Sequence, residues 1–214
     1  MHSVAVLIPT NWSRWWSVAT KAVSKTGGVN KVRIGGGTWR SRLLSFPDGP
    51  GLRPTPDRVR QTLFNWLGQD LHGMRCLDLF SGTGALGFEA LSRGAREVVM
   101  VEKSLPAFRA LQASKTLLSA DGASLLNADA AQLLSAPSAK LEAGSFDVIF
   151  LDPPYNQGWL DKLLPAVAAL LAPDGRVYVE AEYVLADSAP WQVLKSGKAG
   201  NVCYHLLKLA DANE

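Results

Sequence analysis

Residues 77–87 have the sequence LDLFSGTGALG, in which an apolar run passes into a glycine-rich turn. The apolar run predicts a buried strand, and residues 88–91 (FEAL) predict that a helix follows. Gly82, Gly84 and Gly87 permit tight turning and close approach of the backbone to a ligand, and they match the dinucleotide-binding fingerprint. An ordinary strand-to-helix turn would also use such glycines. The stretch predicts a strand–turn–helix unit of a doubly wound α/β fold.

A carboxylate lies inside this predicted strand. Asp78 precedes the first glycine by four residues, at a place where a dinucleotide site usually has an apolar residue. A negative charge there disfavours a nearby pyrophosphate, whereas it favours a ligand that carries an ammonium group. Asp78 therefore argues for a ligand with an ammonium group rather than for a dinucleotide.

A second motif, DPPY, occupies residues 152–155 and follows the apolar run FDVIFL at 146–151. It therefore lies at the carboxyl end of a predicted strand, where open α/β sheets bind ligands. The prolines stiffen the turn and remove N–H donors, so that it presents two acceptors, the Asp152 carboxylate and the Pro153 carbonyl. Tyr155 adds a flat ring. The motif suits a planar base with an exocyclic amino group; the plain alternative is a rigid turn capped by an aromatic residue.

Two further acids follow predicted strands. Glu102 ends the strand at 97–102, where its carboxylate can accept hydrogen bonds from ribose hydroxyls. Asp129 follows the strand at 123–127 and can accept a hydrogen bond from an adenine amino group. Equally, Asp129 can be the N-cap of a short helix at 130–134.

Together these motifs resemble those of the class I S-adenosylmethionine-dependent methyltransferases. The resemblance implies that S-adenosylmethionine is the cofactor and that the DPPY turn belongs to an enzyme that methylates exocyclic or amide nitrogens. It implies these cofactor-binding residues: Asp78, Phe80, Gly82, Gly84, Glu102, Asp129 and Ala130. It implies these catalytic residues: Asp152, Pro153 and Tyr155.

Two stretches upstream of these motifs narrow the resemblance to one group of methyltransferases. Residues 32–40 (VRIGGGTWR) and 51–67 (GLRPTPDRVRQTLFNWL) are similar to the bacterial 16S rRNA guanine-N2 methyltransferases of the guanine-966 type. The similarity covers about residues 31–209. It implies methyl transfer to N2 of a guanine in 16S rRNA by a monomeric enzyme that acts on an assembling small subunit.

The resemblance also implies an architecture. We expect a Rossmann-like sheet that is mostly parallel, with an antiparallel C-terminal strand and an N-terminal β-hairpin extension. Residues 31–70 would form a basic hairpin and helix, and residues 71–209 the core. Residues 1–30 lie outside the resemblance and are predicted to be a disordered extension. Further helices are predicted at 85–93, 105–120 and 159–171, with a strand at 176–182 and a final hairpin from 191–195 and 202–209.

Charge is unevenly distributed along the chain. Residues 1–60 contain ten Lys and Arg against two acids, whereas the remainder contains twelve against seventeen. A basic N-terminal third is the electrostatic signature expected of a protein that binds a phosphate backbone. We predict RNA contacts from Arg33, Arg40 and Arg42, on a hairpin that turns tightly at 35–37 and projects beside the crevice. Arg53 and Arg58 are further candidates, and a solvated basic loop is the alternative.

The start of the next helix has its own pattern. Thr55 is the predicted N-cap, Pro56 the first helical residue and Asp57 a first-turn acid. Val59 and the later apolar residues of the helix lie on one face at helical spacing. Arg58 lies off that face, and its side chain can point into the crevice.

Composition favours one compact domain. The chain has 214 residues, of which 47% are hydrophobic, enough to bury a full core. No apolar run approaches the roughly 20 residues that span a bilayer. Cys76 and Cys203 lie in apolar strands, which predicts buried thiols in the reducing cytoplasm. No cluster has metal-ligand spacing, so that no metal is expected.

Other functions use parts of the same pattern. An adenine-N6 methyltransferase acting on DNA or RNA would need the same DPPY turn, as would a methyltransferase acting on glutamine amides in protein. A nicotinamide-dependent oxidoreductase would use the three glycines but would leave Asp78 and Asp152 without a role. A non-catalytic RNA-binding module is the remaining alternative.

Overall fold

A computed structural model describes residues 30–49, 52–135, 140–155 and 157–210. The predicted N-terminal extension lies outside these residues except for Asn30, which begins the first strand. None of the helices among the described residues is long and apolar enough to cross a membrane.

Nine strands and five helices are found in the described residues. In chain order they are β1 Asn30–Arg33, β2 Leu43–Phe46, α1 Asp57–Trp66, β3 Arg75–Asp78, α2 Ala85–Ser92, β4 Glu97–Val101, α3 Leu105–Leu118, β5 Ala123–Leu126, α4 Ala130–Leu134, β6 Phe146–Leu151, α5 Trp159–Ala168, β7 Leu171–Ala181, β8 Trp191–Ala199 and β9 Val202–Leu209.

The central sheet has seven strands in the order β5-β4-β3-β6-β7-β9-β8. The first five are parallel, whereas β9 runs antiparallel to both β7 and β8. The predicted Rossmann-like sheet with an antiparallel C-terminal strand is therefore confirmed. The chain moves outward from β3 in one direction and from β6 in the other, which makes the β3–β6 boundary the topological switch point.

Both faces of the sheet are buried, which explains the nearly continuous apolar strands. Alternate residues of β6 enter opposite cores, because side chains alternate across a strand: Val148 and Phe150 on one face, Ile149 and Leu151 on the other. The first core includes apolar residues of the β1–β2 hairpin and of α1, α2 and α3. The second includes apolar residues of α4 and α5.

Several element boundaries differ from the predictions; β8, for example, continues to Ala199 rather than ending at 195. Helix α5 ends at Ala168 rather than at 171, because Leu171 already pairs with Phe146 of β6 and begins β7, five residues before the predicted strand start at 176. Helix α1 begins at Asp57 with Pro56 as its N-cap, and no side chain caps it. Thr55 is therefore not the cap that the sequence predicted.

The β1–β2 hairpin is docked on α2, which gives its glycines a second role besides the predicted turn. Ser92, the last residue of α2, accepts a hydrogen bond from the N–H of Thr38 at its carbonyl (2.7 Å). Its hydroxyl accepts from the N–H of Trp39 (2.8 Å) and donates to the Gly36 carbonyl (2.6 Å). Gly37 has φ +75°, and a Cβ there would overlap the Ser92 carbonyl. Gly37 thus serves the turn of the hairpin, where its carbonyl accepts from the Arg40 N–H at 3.1 Å, and it also permits close docking on the helix.

A buried ionic cluster lies under the same hairpin. Arg60 of α1 and Glu89 of α2 are 2% and 1% exposed, and they form an ion pair at 2.9 Å. Glu89 also accepts hydrogen bonds from the Gly35 N–H (3.1 Å) and from Arg93 (2.8 Å). Arg60 in turn donates to the Arg33 carbonyl at 2.7 Å. The cluster joins the hairpin, α1 and α2, so that one basic residue of the N-terminal third is internal rather than a surface charge.

Candidate active site

Two carboxyl groups meet at the switch point. Asp78 is the last residue of β3 and pairs with Phe150 of β6, and Asp152 follows the end of β6. Both line one small cavity together with the glycine-rich turn and with Arg53 and Thr55. Strands β3 and β6 are adjacent and parallel, so that the glycine-rich turn after β3 and the DPPY turn after β6 meet at one crevice.

Asp78 is held by the helix that follows it. One carboxylate oxygen accepts a hydrogen bond from the N–H of Gly87 at 3.2 Å. Only 3% of Asp78 is exposed, and burial raises its pKa to about 7. A positively charged ligand group in the cavity would favour the ionised form, and such a group is what Asp78 is suited to bind.

Glu102, which directly follows β4, faces the glycine-rich turn. Its two oxygens accept hydrogen bonds from the N–H groups of Gly82 (2.8 Å) and Ser104 (2.6 Å). A carboxylate has about four acceptor positions, so that capacity remains for the two hydroxyls of a ribose. Glu102 therefore both orders the turn and presents acceptors beside it.

The glycines of the turn have separate roles. Gly82 has φ +48° and lines the cavity. Gly84 is the left-handed N-cap of α2, and a Cβ there would come within 2.7 Å of Phe88 and Leu111. A Cβ on Gly87 would press on Met100 of β4. Gly84 and Gly87 thus permit packing of α2, and Gly82 is the glycine that approaches the cavity.

Asp129 is the N-cap of α4, as one of its two predicted roles required. It accepts from the N–H groups of Ala131 (3.0 Å) and Gln132 (3.2 Å), and its second oxygen pairs with Lys103 at 2.9 Å. The Lys103 ammonium is the main reason that the pKa of Asp129 lies below its usual value. Three acceptor positions are thus occupied, so that its role toward adenine stays a prediction, as does that of the buried Ala130.

The DPPY turn borders a second cavity of about 250 Å³. Pro153 is buried, whereas Tyr155 is 38% exposed and presents its ring to this cavity. Trp159 lines the cavity and packs edge-on against Phe80 of the glycine-rich turn, with ring centroids 5.7 Å apart. An aromatic and proline-lined cavity of this kind suits a flat heterocycle.

Sequence reasoning missed two polar residues beside Asp152. Thr55 is buried beside Asp152 and Glu180, and its hydroxyl acts to lower the pKa of both carboxyl groups. Glu180 lies on β7, next to β6, and is 3% exposed. Burial, followed by the charge of Glu180, raises the pKa of Asp152 well above its usual value. Burial likewise raises the pKa of Glu180.

The five predicted RNA-binding arginines do not form one group. Arg53 lines the cavity that contains Asp78 and Asp152. The other four are exposed on the hairpin and on α1, outside the lining of both cavities: Arg33, Arg40, Arg42 and Arg58.

The sheet is doubly wound, and its switch point carries the DPPY turn and a glycine-rich turn with Asp78 and Glu102 beside it. These features define a class I S-adenosylmethionine-dependent methyltransferase. Residues 32–208 match the family model described as Conserved hypothetical protein 95. A relative from Escherichia coli (strain K12), Ribosomal RNA small subunit methyltransferase D, is 38% identical over 184 residues, which cover 84% of this chain and 90% of the relative. The chain belongs to this methyltransferase family.

Solved structures agree on the fold. The Escherichia coli protein yhhF superposes with a TM-score of 0.74 at 35% identity, covering 85% of this chain and 99% of that protein. The T. Thermophilus 16S rRNA N2 G1207 methyltransferase, solved with AdoMet and guanosine, has a TM-score of 0.64 at 23% identity, covering 86% of this chain and 50% of that one. At this identity the second likeness shows the fold alone. Membership of a methyltransferase family leaves the oxidoreductase alternative without support.

Replacing Glu102 with alanine is expected to weaken S-adenosylmethionine binding. Ribose hydroxyls would lose their acceptor, at a cost of about 1–3 kcal/mol for a buried polar group, and the Gly82 N–H would lose its partner. Isothermal titration measures the change in Kd. Glu97→Ala is the matched control, because Glu97 begins the same strand and pairs with Arg75. Equal affinity in the Glu102→Ala and wild-type proteins would refute the ribose assignment.

Proposed function

We propose that this enzyme transfers the methyl group of S-adenosylmethionine to the exocyclic N2 of a guanine in small-subunit ribosomal RNA. The family resemblance points to guanine 966. One observation carries the proposal: Asp78, suited to the cofactor, and Asp152, suited to an amino group, line the same cavity. The name of the Escherichia coli relative supports ribosomal RNA as the substrate.

The acidic residues of the site fit the proposed cofactor. Asp78 would bind the ammonium group of its methionine portion, and Glu102 the ribose hydroxyls. Asp129 and Ala130 would lie beside the adenine. S-adenosylmethionine supplies an electrophilic methyl group on a positively charged sulfur, and the site's contribution is to hold the target nitrogen in line with it.

The chemical difficulty lies in the nucleophile, since the N2 lone pair is delocalised into the guanine ring. Hydrogen bonds from both amino hydrogens to Asp152 and the Pro153 carbonyl would draw the nitrogen toward tetrahedral geometry and localise that lone pair. Holding the nitrogen aligned at about 3 Å from the methyl group can remove about 7–11 kcal/mol of barrier. The amino proton becomes acidic only as the new N–C bond forms, and the raised pKa of Asp152 equips it to take that proton.

The position of the turn also limits the substrate. A base must leave its stack to reach the second cavity, which favours an unpaired or loop nucleotide over a regular duplex. The exposed ring of Tyr155 offers a face on which such a base can stack.

The context of the reaction belongs to the same proposal. We propose that the enzyme acts as a monomer in the cytoplasm on an assembling small ribosomal subunit. The family resemblance and the basic surface of the hairpin support this context.

Two measurements test the proposed function. The first is mass-spectrometric mapping of methylated nucleosides in 16S rRNA from cells with and without the gene, where loss of one N2-methylguanosine is expected. The second is transfer of labelled methyl groups by purified enzyme to small-subunit particles and to naked rRNA. Unchanged rRNA methylation together with transfer to DNA adenine would overturn the proposal.

Neutralising the hairpin arginines is expected to weaken RNA binding and its salt dependence. The substitutions are Arg33, Arg40 and Arg42 to alanine, and each lost phosphate contact should reduce the slope of log K against log salt by roughly 0.7. Affinity for S-adenosylmethionine should not change, because these residues lie outside both cavities.

A charge-matched control removes three other exposed cations: Arg96, Lys195 and Lys198. Salt-dependent fluorescence anisotropy with an rRNA fragment compares the two triple variants. A hairpin variant with the wild-type slope would move the RNA footprint to Arg53 and Arg58.

A further inference from the structure

Glu180 is a buried acid that the proposed reaction does not use. It lies on β7 among apolar residues, is 3% exposed and lines the cavity bordered by the DPPY turn. One carboxylate oxygen accepts a hydrogen bond from the Tyr178 hydroxyl at 2.9 Å. The other is only distantly approached by the Tyr155 hydroxyl, at 3.5 Å. An acid in such surroundings is costly to bury unless it is hydrogen-bonded, and its second oxygen has acceptor capacity left.

Glu180 stands beside Asp152 at the same edge of the sheet. Strands β6 and β7 are parallel, and Leu151 pairs with Val179. Asp152 and Glu180 are therefore the next residues on adjacent strands, which lie about 4.8 Å apart. The hydroxyl of Thr55 lies beside both carboxyl groups and acts to lower the pKa of each. Two carboxyl groups side by side form a row of acceptors along one wall of the site.

The edge of guanine matches such a row. Its exocyclic N2 amino group and its N1–H are neighbouring donors that point the same way, whereas adenine has an acceptor at N1 beside its amino group. We propose that Glu180 accepts the N1–H of the target base while Asp152 and Pro153 accept from N2, which makes Glu180 the residue that selects guanine. This inference rests on the proposed function and specifies how the base is recognised.

The surroundings of Glu180 support this role. Tyr178 fixes one oxygen from within the core, so that the carboxyl group has a defined orientation. If N1 of the base is an acceptor, its lone pair would face a lone pair of the second Glu180 oxygen, and no hydrogen bond would form between them. A site built to hydrogen-bond a substrate N–H group rejects an analogue that lacks it, because the acceptor of the protein is then left unpaired.

The test uses rRNA fragments in which the target guanosine is replaced by 2-aminopurine riboside. This base keeps the 2-amino group but has an acceptor at N1. For the wild-type enzyme we expect kcat/KM to be on the order of 10²-fold higher with guanine than with 2-aminopurine. The Glu180→Gln variant can turn its amide to donate to N1, and its guanine preference should fall by at least about 10-fold. The missing O6 affects both enzymes alike and cancels in this comparison.

Glu182→Gln is the matched control, because Glu182 is exposed, lies two residues further along and borders the same cavity. It removes the same charge and should retain the wild-type preference. A wild-type enzyme that methylates both bases equally would overturn the inference, even if Glu180→Gln does not fold. An unchanged preference in folded Glu180→Gln would also overturn it. Absence of guanine methylation by the wild-type enzyme would instead refute the proposed function.

Discussion

Replacing Asp152 with alanine is expected to reduce methyl transfer by at least about 10²-fold, the scale of losing one preorganised transition-state contact. In the proposed mechanism Asp152 lies beside the target nitrogen, and its carboxylate would accept an amino hydrogen and then the proton. Affinity for S-adenosylmethionine should stay within several-fold, because Asp78 and Glu102 are untouched. The substitution thus separates chemistry from cofactor binding.

Single-turnover methyl transfer to small-subunit particles measures the chemical step, and isothermal titration measures the cofactor. Asp152→Asn provides a stricter version of the test, since it preserves size but points an amide N–H₂ at the substrate amino group or offers a single acceptor. We expect it to be nearly as slow as the alanine variant. Near-wild-type turnover in either variant would remove Asp152 from the mechanism.

The central fold was predictable because its signals are local. An apolar run followed by a glycine turn at 77–87, and another followed by DPPY, mark strand ends without knowledge of anything distant in the chain. The parallel sheet then places those strand ends at one crevice by topology. The family and the cofactor follow from the same short motifs.

Glu180 was missed although a usable signal was present. It interrupts the apolar strand RVYVEA just as Asp78 interrupts its own strand, and an acid within a buried strand is a candidate functional residue in both cases. Thr55 carried no such signal. Its position before Pro56 and Asp57 favours an N-cap, and only the packing of the loop against β6 and β7 turns its side chain toward the carboxyl groups instead.

Arg60 was counted as a surface charge because long-range pairing leaves no trace in composition. It shares a helical face with Leu63 and Phe64, so that its side chain points into the core. Its partner Glu89 is 29 residues away in the chain. The docking role of the glycines at 35–37 was missed for the same reason, since the surface that they contact belongs to α2.

Replacing Glu89 with alanine is expected to destabilise the protein by about 3–5 kcal/mol, because the buried guanidinium of Arg60 loses its buried partner and keeps only the exposed Asp57. The guanidinium of Arg60 would remain at 2% exposure with the loss of its 2.9 Å ion pair. The Gly35 N–H and the Arg93 side chain would lose the same acceptor. Since whole domains are stable by about 5–15 kcal/mol, the loss would consume a large part of the total.

The hairpin gives this prediction a second readout. Glu89 accepts from the backbone of the hairpin loop at Gly35, so that amide exchange in β1 and β2 should accelerate more than exchange in β6. Urea unfolding followed by fluorescence gives the free energy, and hydrogen-exchange mass spectrometry gives the local effect.

Asp57→Ala is the matched control for Glu89→Ala, because Asp57 also pairs with Arg60 but is 76% exposed. An exposed ion pair contributes about 0–1 kcal/mol, so that this variant should unfold close to the wild-type urea concentration. The contrast between two carboxylates on one arginine isolates burial as the cause. If both variants lose the same small amount, the cluster does not hold the hairpin, and the docking of the glycines on Ser92 must be sufficient by itself.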